Sequence, residues 1–264
     1  MKKYWEFFKI SWQEFLTYRT NFVFWRVRNV LQLLLVYFIW LSVFKSQREI
    51  FGYTTSSIIT YILAVALIRA TVLGTRVTDL IEAINNGSVV NVVIKPIGFI
   101  RSLVVRDIAD KLFNFCFFIF EITLLVVLLK PEIIIQTKIS VLITFLLAIL
   151  GALVIYFCIN LIISLTAFWT ENSWGPLFLM SIILESLGGG LFPVDILPKQ
   201  LFNILMLTPF PYLIYFPAKL YLGQMEYGQI LSGFLVISIW ILVLIVLVRA
   251  TINAGFRHFS VAGN

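Results

Sequence analysis

Six stretches of the chain, at 22–44, 55–74, 112–129, 139–168, 177–194 and 229–248, are apolar over about the 20 residues that a helix needs to cross a bilayer. No other feature constrains the fold as much. Inside hydrocarbon every backbone amide must be paired within the protein, so runs of this length fold as helices; barrel strands would alternate over about ten residues. Composition agrees: 61% hydrophobic residues, 12% charged and a mean hydropathy of +1.00 leave more apolar surface than 264 residues can hide from water. The expected fold class is an all-α integral membrane protein with six transmembrane helices. No internal repeat or low-complexity tract divides it, so 1–264 reads as a single transmembrane domain.

A net charge of +7 and a pI near 9.5 would suit a nucleic-acid binder, but the charges are distributed as in a membrane protein. The N-terminal side carries Lys2, Lys3, Lys9, Arg19, Arg26 and Arg28. The loop 75–111 carries Arg76, Lys95, Arg101, Arg106 and Lys111, and the tail carries Arg249 and Arg257. The opposite side holds Lys45, Arg48, Lys130, Lys138, Lys199 and Lys219. Thirteen against six places both termini in the cytoplasm and leaves membrane lipid, with no nucleic acid, as the surrounding partner. The N-terminus is not expected to be a signal peptide, because Glu6, Lys9, Gln13 and Glu14 interrupt its apolar core. Lys2, Glu6, Lys9, Gln13 and Thr17 form a polar stripe opposite Trp5, Phe8, Trp12, Phe15 and Leu16, which predicts an interfacial in-plane helix over 1–21.

Two non-spanning regions carry most of the remaining information. In 75–111, Val77, Leu80, Ile81 and Ile84 share a helical face while Asp79 and Glu82 point elsewhere, and Asn85-Asn86-Gly87 ends the helix. A short amphipathic helix and turn on the cytoplasmic side read as a docking surface or as an ordinary interfacial loop. Segment 190–228, on the outer side, holds Pro193, Pro198, Pro209, Pro211 and Pro217 between apolar pieces too short to cross. These predict two short re-entrant helices within 195–222, with Gly189, Pro193, Pro209 and Pro211 as candidates for an outer gate. Gly188-Gly189-Gly190 either lets helices approach closely or supplies a hinge.

The chain lacks catalytic signatures. It has no G-x-x-x-x-G-K-[ST] phosphate loop, no H-E-x-x-H and no G-x-S-x-G, and Asp79, Asp107, Asp110 and Asp195 all avoid mid-span positions. His258 is the single histidine, and Cys116 and Cys158 lie in apolar runs, so neither a metal site nor a disulfide is expected. Charges within lipid are costly and point to function by default. Arg69 lies roughly 7 Å from the cytoplasmic end of its span, Glu121 roughly 13 Å and Glu185 roughly 12 Å from theirs, at about 1.5 Å per residue. Arg69 is within reach of either glutamate; snorkelling or a pair with Glu121 is the structural reading, and a polar patch on a translocation path or dimer seam the functional one.

The full length resembles the permease subunit of type-2 ATP-binding-cassette (ABC) exporters, in particular a bacterial six-span branch. The resemblance is carried by Thr17-Tyr18-Arg19-Thr20-Asn21, the loop from Asp79 to Val92-Val93-Ile94-Lys95-Pro96-Ile97, Leu191-Phe192-Pro193-Val194-Asp195-Ile196-Leu197-Pro198, Thr208-Pro209-Phe210-Pro211-Tyr212, Ile214-Tyr215-Phe216-Pro217, and the tail from Gly255 to Gly263. His258-Phe259 and Ala262 depart from the usual tail. The resemblance implies a coupling region at 75–98, with Asp79, Leu80, Glu82, Ile84 and Asn86 meeting cytoplasmic ABC ATPase subunits. ATP and Mg would be bound by those subunits, with no cofactor in this chain and no enzyme activity of its own. It also implies pairing with a second permease, identical or homologous, in the bacterial cytoplasmic (inner) membrane, and ATP-driven export. The alternative is a stand-alone secondary transporter or channel. Purified alone, the chain is expected to release no phosphate from ATP above a heat-inactivated control; turnover by the isolated chain would remove the ATPase-partner reading.

Overall fold

A computed structural model describes residues 19–93, 98–170 and 173–262. The in-plane helix expected over 1–21 lies outside these residues except for 19–21, which open the first long helix, and the Lys95-Pro96 stop also lies outside them. The elements are α1 (Arg19–Val43), a hairpin of β1 (Glu49–Ile50) and β2 (Tyr53–Thr54), α2 (Thr55–Ile68) continued by a π-helical turn at Arg69–Leu73, α3 (Asp79–Asn85), α4 (Val89–Val93) and α5 (Phe99–Leu129). They continue with α6 (Ile139–Leu165) and a 3-10 turn at Thr166–Phe168, then α7 (Trp174–Ser186), α8 (Lys199–Leu205), α9 (Tyr215–Tyr221) and α10 (Tyr227–Ala262). The chain is an all-α integral membrane protein, and the one two-stranded hairpin among the described residues turns at Phe51-Gly52, both at positive φ.

Local chemistry explains the ends. Thr54 caps α2 with a reciprocal capping box to Ser57, and α5 stops at Lys130, whose left-handed φ of 45° precedes Pro131. Among the described residues five helices, within Val23–Val43, Thr55–Leu73, Phe99–Leu129, Ile139–Phe168 and Tyr227–His258, are long and apolar enough to cross a membrane. The run at 177–194 is not a sixth continuous helix. It contains α7, whose 13 residues reach only about 20 Å, before the chain breaks at Gly188-Gly189-Gly190. The third span is also longer than the apolar run at 112–129 suggests. Residues 99–111, read as loop because of their charges, are the first turns of α5, and all of those charges except the exposed Arg101 are paired. Arg76 pairs with Asp110 at 3.3 Å, Lys111 with Asp107 at 3.0 Å and Arg106 with Asp79 at 3.4 Å.

The core lies along α6. Ala148, Ala152, Ile155, Leu161 and Leu165 are fully buried there, and α10, α9 and the π-helical turn pack around it. Small residues permit the close approach: a Cβ on Gly151 would sit 2.7 Å from Ile237 of α10, and one on Gly233 of α10 would sit 2.2 Å from the buried Phe216 ring of α9. The outer faces are apolar too. Phe24, Leu31 and Leu35 on α1, Phe120 and Leu128 on α5, and Leu242 and Val246 on α10 all stand exposed, as lipid-facing side chains must. Gly233→Ala is expected to cost about 1–3 kcal/mol by overpacking Phe216. It would lower the thermal midpoint in detergent, while Gly228→Ala, with open space around its Cβ, leaves it unchanged or raised.

Candidate functional site

Between α1, the π-helical turn, α5, α6 and α7 lies a cleft of about 600 Å³. One end is formed by Thr75, Arg76, Thr78 and Asp79, next to α3; the other closes on Gln32, Arg69 and Glu185. Its walls are mixed: Trp25, Trp174, Leu177, Met180 and Leu184 are apolar, while Arg26, Arg28, Asn29, Asn114 and Asn160 are polar. Beyond the closed end, a second cavity of about 50 Å³ is lined mainly by Leu33, Val36, Ile62, Val65, Phe118 and Leu125.

Two intramembrane ion pairs separate these spaces. Arg69 forms a bidentate pair with Glu185, its Nη1 donating to Oε1 and its Nη2 to Oε2 at 2.5 Å, and Nη2 also donates to the Gly190 carbonyl at 2.9 Å. Gln32 of α1 donates to Glu185 Oε1 at 3.2 Å. Glu121 is held by Arg26, whose Nε and Nη2 donate to its two carboxylate oxygens at 2.5 Å each, while Nη1 donates to Asn114 Oδ1 at 3.2 Å. Arg69 therefore pairs with Glu185 and not with Glu121. The Arg26 pair is the more enclosed, at 10% and 16% side-chain exposure against 23% and 29%. Bidentate guanidinium–carboxylate geometry is what makes such pairs tolerable in low dielectric. Arg26 and Gln32 were not among the expected site residues, because Arg26 counts toward the N-terminal positive charge. The signal lay in the spacing Arg26, Asn29, Gln32, which keeps polar side chains on one face of an apolar helix.

α7 ends in mid-membrane, and the carbonyls of the glycine break that follows are taken up one by one. Tyr61 Oη donates to Gly189 O at 2.7 Å, Tyr215 N to Gly188 O at 3.0 Å, and Arg69 to Gly190 O. Gly189 has φ of 98°, and a Cβ there would lie 2.6 Å from Tyr61 Oη, so only glycine fits this turn. Pro193, Pro209 and Pro211 are buried nearby: Pro193 and Pro209 open the 3-10 turns at Val194–Ile196 and Phe210–Tyr212, and Pro211 sits within the second. This end is fastened to the hairpin: Lys219 donates to Asp195 Oδ2 at 2.8 Å and to Tyr53 Oη at 2.7 Å, and Tyr53 donates to Asp195. Burial first, and then the Asp195 carboxylate, push the Tyr53 and Tyr215 phenols far above their ordinary value, so both keep their protons for hydrogen bonding.

At the opposite end, the expected docking residues divide into two sets. Asp79, Glu82 and Asn86 are exposed, and Asn86 Oδ1 accepts from Ser88 N at 2.9 Å to shape the turn after α3. Leu80 and Ile84, expected to meet a partner, are 2% and 6% exposed and face the bundle, where α3 packs on α6 and the 166–168 turn. The apolar face of this amphipathic helix is consumed in seating it; its acidic face is what remains outside.

A helical bundle with a lipid-facing exterior, a charged internal cleft and a broken helix defines a multi-pass membrane permease. The chain belongs to the ABC-2 family of transporter proteins: the family described as "ABC-2 family transporter protein" matches residues 30–263. It is accordingly a membrane permease of an ABC transporter, and membership implies partnership with an ABC ATPase and dimerisation in general. No curated protein and no solved structure matches the chain.

Removing one member of a buried ion pair strands its partner, so Arg69→Met or Glu185→Leu alone is expected to cost about 3–5 kcal/mol, while the double variant recovers part of that loss and stays about 1–3 kcal/mol short because the Gly190 carbonyl loses its Arg69 donor. Thermal midpoints of the four proteins check this. Singles as stable as wild type would show that the pair contributes nothing to the fold.

Proposed function

We propose that the chain is one half of the membrane unit of an ATP-driven exporter, pairing with a second permease and powered by separate ABC ATPase subunits. In this reading both termini and α3 face the cytoplasm of a bacterial cell, in its cytoplasmic (inner) membrane. The observation that carries it is the seating of α3. A helix whose apolar side is locked onto α6 and whose Asp79, Glu82 and Asn86 stand outside is built to receive force from a partner and pass it to the bundle. Leu80 and Ile84 serve this role from inside, by fixing the helix rigidly.

Closure of the ATPase subunits on ATP would displace α3, and with it the π-helical turn that ends at Leu73, five residues before Thr78. π-helical turns recur at functional positions in helices, and this one begins at Arg69, the residue that holds the broken end of α7. Motion at α3 is thereby linked to Gly188-Gly189-Gly190 and to the proline-bounded turns at the outer end, which act as the exit gate. The alternation moves substrate outward. Neither ATP nor Mg is bound by this chain in the scheme.

The break in α7 beside Glu185 also suits a stand-alone secondary transporter, since such carriers use discontinuous helices near coupling carboxylates. Among the described residues the break occurs once, without the second half-helix that an inverted repeat would supply. Transport in proteoliposomes separates the two readings: the exporter requires ATP and its ATPase, whereas a carrier runs without them and stops with an uncoupler.

Co-expression with the phosphate-loop ATPase of its own gene neighbourhood tests the docking assignment. Glu82→Lys combined with Asn86→Lys is expected to weaken co-purification and ATP-dependent transport by at least about tenfold while leaving the thermal midpoint within a degree or two, as for a surface charge change. Unchanged co-purification and transport would move the coupling surface elsewhere.

A further inference from the structure

We propose that the cleft between α1 and α7 is a binding site for an amphiphile with an anionic head, carboxylate or phosphate, whose head is received by Arg28 and whose chain lies along the apolar wall of α7. This deepens the exporter reading by naming a substrate class, although the site itself is argued from the cleft alone.

Charge decides the head group. Each carboxylate on the cleft wall is already engaged: Asp110 by Arg76, Asp79 by Arg106 and Glu185 by Arg69. Glu121, the partner of Arg26, lines the small cavity behind the pair and not the cleft. Arg28, by contrast, lines the cleft and has no carboxylate partner among the described residues; its guanidinium stacks on Trp25, 4.8 Å from the ring centroid. A cationic head would have to compete with an arginine already paired to each of these acids. An anionic head meets an exposed guanidinium, with the Asn29 side-chain amide on the same wall one residue along the helix. Low-dielectric walls strengthen the field of that uncompensated charge.

Shape and polarity decide the rest of the molecule. A cleft of about 600 Å³ lies in the range of sites for drug-sized ligands. Its α7 wall, Leu177, Met180 and Leu184 with Trp174 at the mouth, offers a mainly apolar track, with Ser181 its one hydroxyl, that ends at the Arg69–Glu185 pair. α1 and α7 are bridged at that closed end by Gln32 and Glu185, and the cleft spreads from there toward Trp25 and Trp174, both exposed. A molecule with head and chain at opposite ends therefore fits in one orientation only, head at the Trp25–Arg28 mouth and chain toward Leu184.

The test uses the full chain in neutral phosphatidylcholine nanodiscs, with a diazirine-bearing hexadecanoate as photo-probe and labelled peptides mapped by mass spectrometry. The expected result is saturable labelling of the α7 wall, Leu177 to Leu184, competed by unlabelled hexadecanoate but not by hexadecanol or hexadecyltrimethylammonium. Arg28→Gln should reduce it at least about fivefold, and Arg28→Lys should keep most of it, as for a charge-dependent contact. Adding phosphatidylglycerol distinguishes the source of the head group. Competition indicates a ligand drawn from the bilayer and no competition a free amphiphile, and both outcomes support the site. Equal competition by the cation or the alcohol, or saturable labelling that Arg28→Gln leaves unchanged, overturns the proposal. So does labelling confined to the lipid face of α5 around Phe120 and Val127, which marks partition into lipid only. No ATPase is present, so failure here leaves the coupling assignment standing, and failure of the coupling test leaves this site standing.

Discussion

A guanidinium placed in hydrocarbon must be answered by a carboxylate, and this requirement organises the bundle. α1 packs mainly on α2 and reaches the rest of the protein through polar contacts: Arg26 to Glu121 on α5, Gln32 to the Arg69–Glu185 pair that joins the π-helical turn to α7, and Trp40 Nε1 to the Leu191 carbonyl. Four helical segments thus converge on two ion pairs. The apolar packing around α6 is strong but indifferent to small slides, whereas a bidentate pair tolerates few geometries. The pairs set the register of α1 against α7 and α5, and with it the width of the cleft between them.

The same pair resolves the second difficulty of the fold, a helix that stops inside the membrane. Unpaired carbonyls at that depth are costly, and those of Gly188, Gly189 and Gly190 each find a donor from elsewhere: Tyr215, Tyr61 and Arg69. Arg69 neutralises Glu185 and caps the broken end at once, so electrostatic and backbone satisfaction depend on one side chain. Changes at this position are therefore not separable into a charge effect and a conformational effect without the partner substitution.

Much of this was legible in the residues. Apolar runs at 22–44, 55–74 and 139–168 mark helices almost residue for residue, because hydrocarbon leaves the backbone no alternative. The short pieces of the outer segment were signalled by proline: Pro198 stands at the start of α8, and Pro209 opens the 3-10 turn that separates it from α9. Where the reading failed, tertiary pairing was the cause. Residues 99–111 look too charged for a helix bordering lipid until Arg76 and Asp79, from a different segment, are brought beside them. The run at 177–194 looks like a full span until the carbonyl acceptors of its three glycines are accounted for. The ion pairs were half legible: Arg69, Glu121 and Glu185 stand out by type, but partner choice is a property of helix rotation, which no single segment encodes. Leu80 and Ile84 show the converse, since an amphipathic helix announces two faces without saying which one the protein keeps for itself.

α10 runs for 36 residues, about 54 Å, well beyond the roughly 30 Å of hydrocarbon. Its far portion is not loose. Phe256 stacks on Phe99 and Phe168, and Gly255 lies so close to the Phe168 ring that no side chain fits between them. Phe168 closes the turn on which α3 rests, so the protruding rod, the start of α5 and the α3 platform form one stiff assembly outside the hydrocarbon. A rod clamped at its tip and embedded along most of its length behaves as a lever. If the proposed ATPase partner presses on the platform, the rod would tilt against α6 along the seam at Gly151, where α10 comes closest through Ile237.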